Sequence, residues 1–128
     1  NSRCPVLLHR AGQHEWLSEA SEAVGIHPNT KPSITEIGLE AELTVAVFTD
    51  GILGAGIRKG KKMDIESVLA EVEATGDTSA QGLADRILAV ALALDEGRAQ
   101  DDCTVLVVKL AANSRGDEVR RLAVSFPL

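Results

Sequence analysis

Apolar and polar positions along the chain follow two rhythms. Leu43–Phe48 is an apolar, β-branched run without alternation, which predicts a strand buried on both faces. It ends at Asp50-Gly51, where Gly51, lacking a Cβ, lets the chain turn sharply. Thr104–Leu110 predicts a second buried strand, preceded rather than followed by acids, Asp101 and Asp102. Val6–Leu8 and His14–Leu17 flank an Ala11-Gly12 turn and predict a hairpin. Ile37 and Leu39 alternate with polar residues over Ser33–Glu40, as do Leu122, Val124 and Phe126 over Val119–Phe126; both segments predict half-buried or edge strands.

The helical rhythm occurs twice between the two long apolar runs. Ile65, Val68, Leu69 and Val72 follow Asp64, a natural N-cap, with Glu66 in the first turn and Gly76 at the end. Leu83, Ile87, Val90 and Leu94 form a second stripe, with Thr78 and Gln81 as a capping box and Gly97 at its close. The polar Ser18–Lys31 predicts a loop, as does Gly51–Lys62, a mobile one with four glycines and four basic residues. The sum is about six strands and two helices, an α+β layer with the helices on one face of a largely antiparallel sheet. Both central strands are apolar throughout, so the opposite sheet face must also be covered.

Composition narrows the function. The 128 residues suffice for one compact domain. Aromatics make up 2% and the formal net charge is −6, which leaves neither stacking platforms nor a basic face for nucleic acid. Two cysteines are too few for a disulfide scaffold and suggest a reducing, cytoplasmic setting; both read as small buried fillers. No 18-residue apolar run predicts a membrane span, and no signal peptide is evident. The chain begins with Asn and heads straight into an apolar run, the expected start of an interior piece of a longer protein.

The acids carry the candidate chemistry. One follows a buried strand and the other precedes one, so antiparallel pairing would bring Asp50 and Asp101 to the same sheet edge. Carboxylates at strand–loop junctions suit Mg²⁺ or Mn²⁺, which take oxygen ligands and keep several waters. Two such ions roughly 4 Å apart can drive in-line attack of water on a phosphomonoester. Against this, Asp-Gly after a strand is first of all a turn, and paired acids before a strand are commonly a solvated loop. The three histidines show no metal spacing: His9 alternates with the apolar residues of its strand, and His14 and His27 read as surface. The Gly54/Gly56 pair lacks the ending of a phosphate-binding loop. Arg58, Lys59, Lys61 and Lys62 read as a solvated run that could receive an acidic or phosphorylated partner.

Val45 to Ile52, with Thr49-Asp50-Gly51 inside it and Ala55-Gly56 behind it, resembles the Thr-Asp-Gly signature of the protein phosphatase 2C superfamily. The likeness is nearer to its stage II sporulation protein E branch. Leu83-Ala84-Asp85 with Ile87-Leu88, Asp95 to Arg98, and Asp101-Asp102-Cys103-Thr104-Val105 are similar to that branch's closing helix and acidic strand motif. Asn1 to Leu8 is similar to its middle hairpin. The resemblance implies the α-β-β-α sandwich of a metal-dependent Ser/Thr phosphatase. It implies that Asp50 and Asp101 are ligands of Mn²⁺ or Mg²⁺, two ions in a complete domain. Gly51, Asp102 and Thr104 would support those ligands from behind.

The family's N-terminal half carries a further Asp-Gly metal ligand, and residues 1–128 contain no such segment. Residues 1–128 are therefore expected to be the C-terminal part of a single phosphatase-like domain, with little or no activity alone. Self-association, or association with the missing half, would cover the exposed surface. The expected substrate is a phosphorylated protein, of the anti-anti-sigma type in this branch. The alternative is a non-catalytic phosphatase-like module that binds a bacterial signalling regulator. The plainest reading is a metal-free interaction domain with both acids as turn formers.

Overall fold

The computed structural model describes residues 4–17, 26–30, 34–38, 41–76 and 79–111. Among them, four strands form one antiparallel sheet: β1 (Val6–Arg10), β2 (Gln13–Leu17), β3 (Thr44–Phe48) and β4 (Val105–Lys109), in the order β2-β1-β3-β4. β1 and β2 form the expected hairpin, turning at Ala11 and Gly12, both with positive φ. Between β3 and β4 the chain inserts a short helix α1 (Asp50–Leu53), a 3-10 turn (Ile57–Lys59), and two long helices, α2 (Ile65–Thr75) and α3 (Ala80–Leu94).

The two sheet faces differ. Leu7, Ala46 and Val107 share one row of the register, and with Phe48 they face the helices. Ile65, Val68, Leu69 and Val72 of α2 and Leu83, Ile87 and Ala91 of α3 complete that core. Trp16 tilts against Phe48 at 45°, with ring centroids 6.0 Å apart. On the opposite face Val45 pairs with Val108, and Val47 with Leu106. Leu106 and Val108 are 58% and 47% exposed. β4 is therefore not buried on both faces as its sequence predicts; this face is open along β4, while Leu8, opposite Val45 on the same face, is buried. The described residues form one helical layer on one sheet, half of an α-β-β-α sandwich.

The helix ends explain themselves locally. Asp64 accepts the Ser67 amide at 3.1 Å and its hydroxyl at 2.7 Å, and the hydroxyl foremost holds this carboxyl below its ordinary range. Gly76 closes α2 in the left-handed conformation. The cap of α3 is Ser79, whose hydroxyl accepts from the Gly82 amide at 2.9 Å. This shifts the expected capping box: Gly82 now occupies the third helical position, and Gln81 instead bonds Asp85. Thr78 lies outside the described residues. At the far end Glu96 N donates to Ala93 O and Gly97 N to Leu92 O, a Schellman motif. Its left-handed position falls on Glu96, one residue before the glycine the sequence offers.

Three further expectations are corrected. Residues 34–38 form no strand, and Ile34 is 80% exposed. Ile37 is itself 40% exposed, so these residues bury too little apolar area to offset the entropy of ordering a strand; residues 33, 39 and 40 of the expected strand lie outside the described residues. The Gly51–Lys62 segment is not loop throughout. Ile52 and Ala55 sink into the core and fold it into α1 and the 3-10 turn. Cys4 is exposed rather than buried. The expected strand over 119–126 lies outside the described residues.

Candidate functional site

Antiparallel pairing of β3 with β4 opposes Phe48 to Val105, which places the residues after β3 beside those before β4. Thr49 joins the two segments. Its amide donates to Thr104 O at 3.1 Å, and its hydroxyl donates to Asp102 O at 2.6 Å. The same hydroxyl accepts from Thr104 N at 2.8 Å. A threonine after an apolar strand carries little signal by itself, and its part here appears only once the strands are paired.

Gly51 follows at the start of α1, buried against the other motif. A Cβ at this position would lie 2.5 Å from Asp102 O and 2.9 Å from Asp102 C. Glycine is required by this close approach. Asp102 and Thr104 thus act through their backbones, while their side chains are exposed.

The expected ligands Asp50 and Asp101 are both exposed at this edge. Each is oriented by the amide that follows it: Gly51 N donates to Asp50 Oδ1 at 3.1 Å, and Asp102 N to Asp101 Oδ1 at 2.8 Å. Each keeps its second oxygen without a partner among the described residues. The Cys103 thiol is pushed up in pKa, first by burial and then by the charges of Asp95, Asp101 and Asp102. It is held as a thiol rather than a nucleophilic thiolate, within a negative local field. A 620 Å³ cleft between Trp16, Leu53 and Met63 is lined by neither candidate ligand.

The histidines stand apart from this edge. His9 is nearly buried and bonds Glu73 at 2.5 Å, and half-exposed His14 reaches Glu66 at 3.2 Å. His27 is exposed.

Asp95 was not legible as a site residue. It is a buried acid at the C-terminus of α3, 5% exposed, and it accepts from Gly56 N at 2.8 Å and Gln100 N at 3.3 Å. Those amides belong to the segments that carry Asp50 and Asp101. On the surface, Arg58 bonds Gln100 and Lys59 bonds Glu96 along the same seam.

Residues 2–111 match the family model of stage II sporulation protein E, SpoIIE. The chain belongs to the SpoIIE family. No curated protein matches it. Its fold is similar to the phosphatase domain of the cell fate determinant SpoIIE from Bacillus subtilis, with a TM-score of 0.58 at 20% identity over 88% of this chain and 50% of that one. A manganese-presoaked form of that domain gives 0.60 at 19% identity, over 89% and 50% of the two chains. The domain with a fragment of its regulatory domain gives 0.65 at 20% identity, over 88% and 33%. The chain thus spans half or less of these SpoIIE structures, and the likeness establishes the protein phosphatase 2C fold.

The donor chemistry at the acid edge fits part of a hard-cation site. Two exposed carboxylates, each with one oxygen to spare, sit on backbone fixed by strand pairing. Mg²⁺ and Mn²⁺ accept such oxygens and retain water in their remaining positions. Among the described residues no group of three or more His, Cys, Asp or Glu could enclose a metal. The fit is to two ligands of such a site, Asp50 and Asp101.

Proposed function

We propose that the chain is the part of a metal-dependent phosphoserine/phosphothreonine protein phosphatase that contributes Asp50 and Asp101 to its Mn²⁺ or Mg²⁺ site. The observation that carries this reading is the convergence of the two acids at one sheet edge, with Thr49 bonded to both Asp102 and Thr104. A bound cation would neutralise phosphate oxygens and supply a nucleophilic water near neutral pH. Asp50 and Asp101 would hold it through the oxygens that the Gly51 and Asp102 amides leave free. Thr49 and Gly51 keep the two acids in register. The substrate class is a phosphorylated protein, with an anti-anti-sigma-type regulator as the specific proposal.

The test is Mn²⁺-dependent release of phosphate from a phosphoserine peptide by the whole protein that contains this segment, beside its Asp50→Asn variant. The reading expects turnover in the parent, lost in the variant; equal turnover in both contradicts it. The 128 residues alone are expected to hydrolyse p-nitrophenyl phosphate little or not at all.

A second reading, a non-catalytic module that binds a signalling regulator, draws on the lack of a metal-enclosing group among the described residues. Binding of a phosphoprotein by the whole protein without turnover would favour it.

A further inference from the structure

Asp95 occupies a place that helix electrostatics disfavours. It is a carboxylate at the C-cap of α3, beside the negative end of the helix dipole, and it is 5% exposed. A buried charge is retained where its hydrogen bonds compensate. Both Asp95 oxygens are so used, Oδ1 by Gly56 N at 2.8 Å and Oδ2 by Gln100 N at 3.3 Å.

These two amides belong to different segments. Gly56 ends the turn that begins at Asp50, and Gln100 immediately precedes Asp101. The Gly56 seat is tight, because a Cβ there would lie 2.9 Å from Lys61 Cβ and 3.1 Å from Leu94 Cβ. On the strand side the same two segments are joined by Thr49 with Asp102 and Thr104. The acid-bearing backbone is therefore held at two points: by a hydroxyl next to the strands, and by a buried carboxylate behind the loops.

We propose that Asp95 is a positioning residue, which sets the spacing of Asp50 and Asp101 by holding the Gly56 and Gln100 amides on one carboxylate. This rests on the reading of Asp50 and Asp101 as cation ligands. Asp95 itself donates nothing to the cation. Its effect passes through the backbone, in the way that residues behind metal ligands commonly tune affinity.

The test is a calorimetric Mn²⁺ titration of the whole protein and its Asp95→Asn, Asp95→Ala and Asp50→Asn variants. Amide hydrogen exchange is followed at Gly56 and Gln100. Asp95→Asn keeps the shape and one carbonyl acceptor, whereas Asp95→Ala removes both acceptors. The expected result is Mn²⁺ affinity weakened about tenfold in Asp95→Asn and further in Asp95→Ala. Both proteins stay folded, and both amides exchange faster together. Unchanged affinity in a folded Asp95→Ala overturns the positioning role while leaving the cation reading intact. A parent that binds no Mn²⁺ overturns both. Should the Asp95 variants not fold, Gln100→Pro removes the amide that Asp95 Oδ2 accepts and leaves Asp95 in place. Weaker Mn²⁺ binding in Gln100→Pro supports the inference, and unchanged binding overturns it.

Discussion

The carbonyl oxygen of Asp102 occupies the space where a side chain on Gly51 would begin, 2.5 Å from the position of a Cβ. The contact is backbone against backbone, so neither side yields cheaply. Gly51→Ala is expected to destabilise the fold by about 1–3 kcal/mol, the usual range for overpacking. Urea denaturation measures this directly. A variant as stable as the parent would show that the two acid motifs are further apart than described.

Thr49 gives a second test of the same seam. Thr49→Val keeps the shape but removes the hydroxyl that donates to Asp102 O and accepts from Thr104 N. The expected loss is about 0.5–1.5 kcal/mol, the net worth of an intramolecular hydrogen bond whose freed groups can turn to water. Thr49→Ser keeps the hydroxyl and is expected to recover most of that loss. Equal stability of the Val and Ser variants would contradict the bridging role.

The cap of α2 makes a prediction about pH. Asp64 has its folded-state pKa lowered by Ser67, so its capping contribution is present above its unfolded value of about 3.9 and is lost as pH falls through the lower folded value. Asp64→Ala should melt below the parent at neutral pH, and the gap should narrow as pH drops under about 3.9. Thermal melts across that range decide it, and a gap that widens at low pH would be the wrong sign.

Much of the fold was legible because burial imposes a period. The stripes at Ile65–Val72 and Leu83–Ile87 and the apolar run ending at Phe48 each appear as elements where their patterns place them. What escaped the pattern depended on contacts distant in sequence. Residues 34–38 alternate weakly yet form no strand. The glycine-rich stretch after Asp50 folds because Ile52 and Ala55 find the core. The acid edge followed from strand order alone, but Thr49 and Asp95 did not. Thr49 meets Asp102 across 53 residues and Asp95 meets Gly56 across 39, and neither residue type signals a bridge by itself.

The open sheet face yields a prediction about association. Leu106 and Val108 stand exposed beside Val45 and Val47. Leu106→Thr should leave stability within about 0.5 kcal/mol, as surface changes generally do. It should also reduce self-association of the 128-residue chain. Sedimentation velocity at rising concentration reads this, and an unchanged distribution would show that this face does not mediate association.

The central claim is that Asp50 and Asp101 serve one cation. Calorimetric titration of Mn²⁺ into the whole protein that contains this segment, with Asp50→Asn and Asp101→Asn alongside, tests it most directly. The account predicts saturable binding in the parent that either substitution abolishes. Binding that survives in either variant, or no binding in the parent, would contradict it.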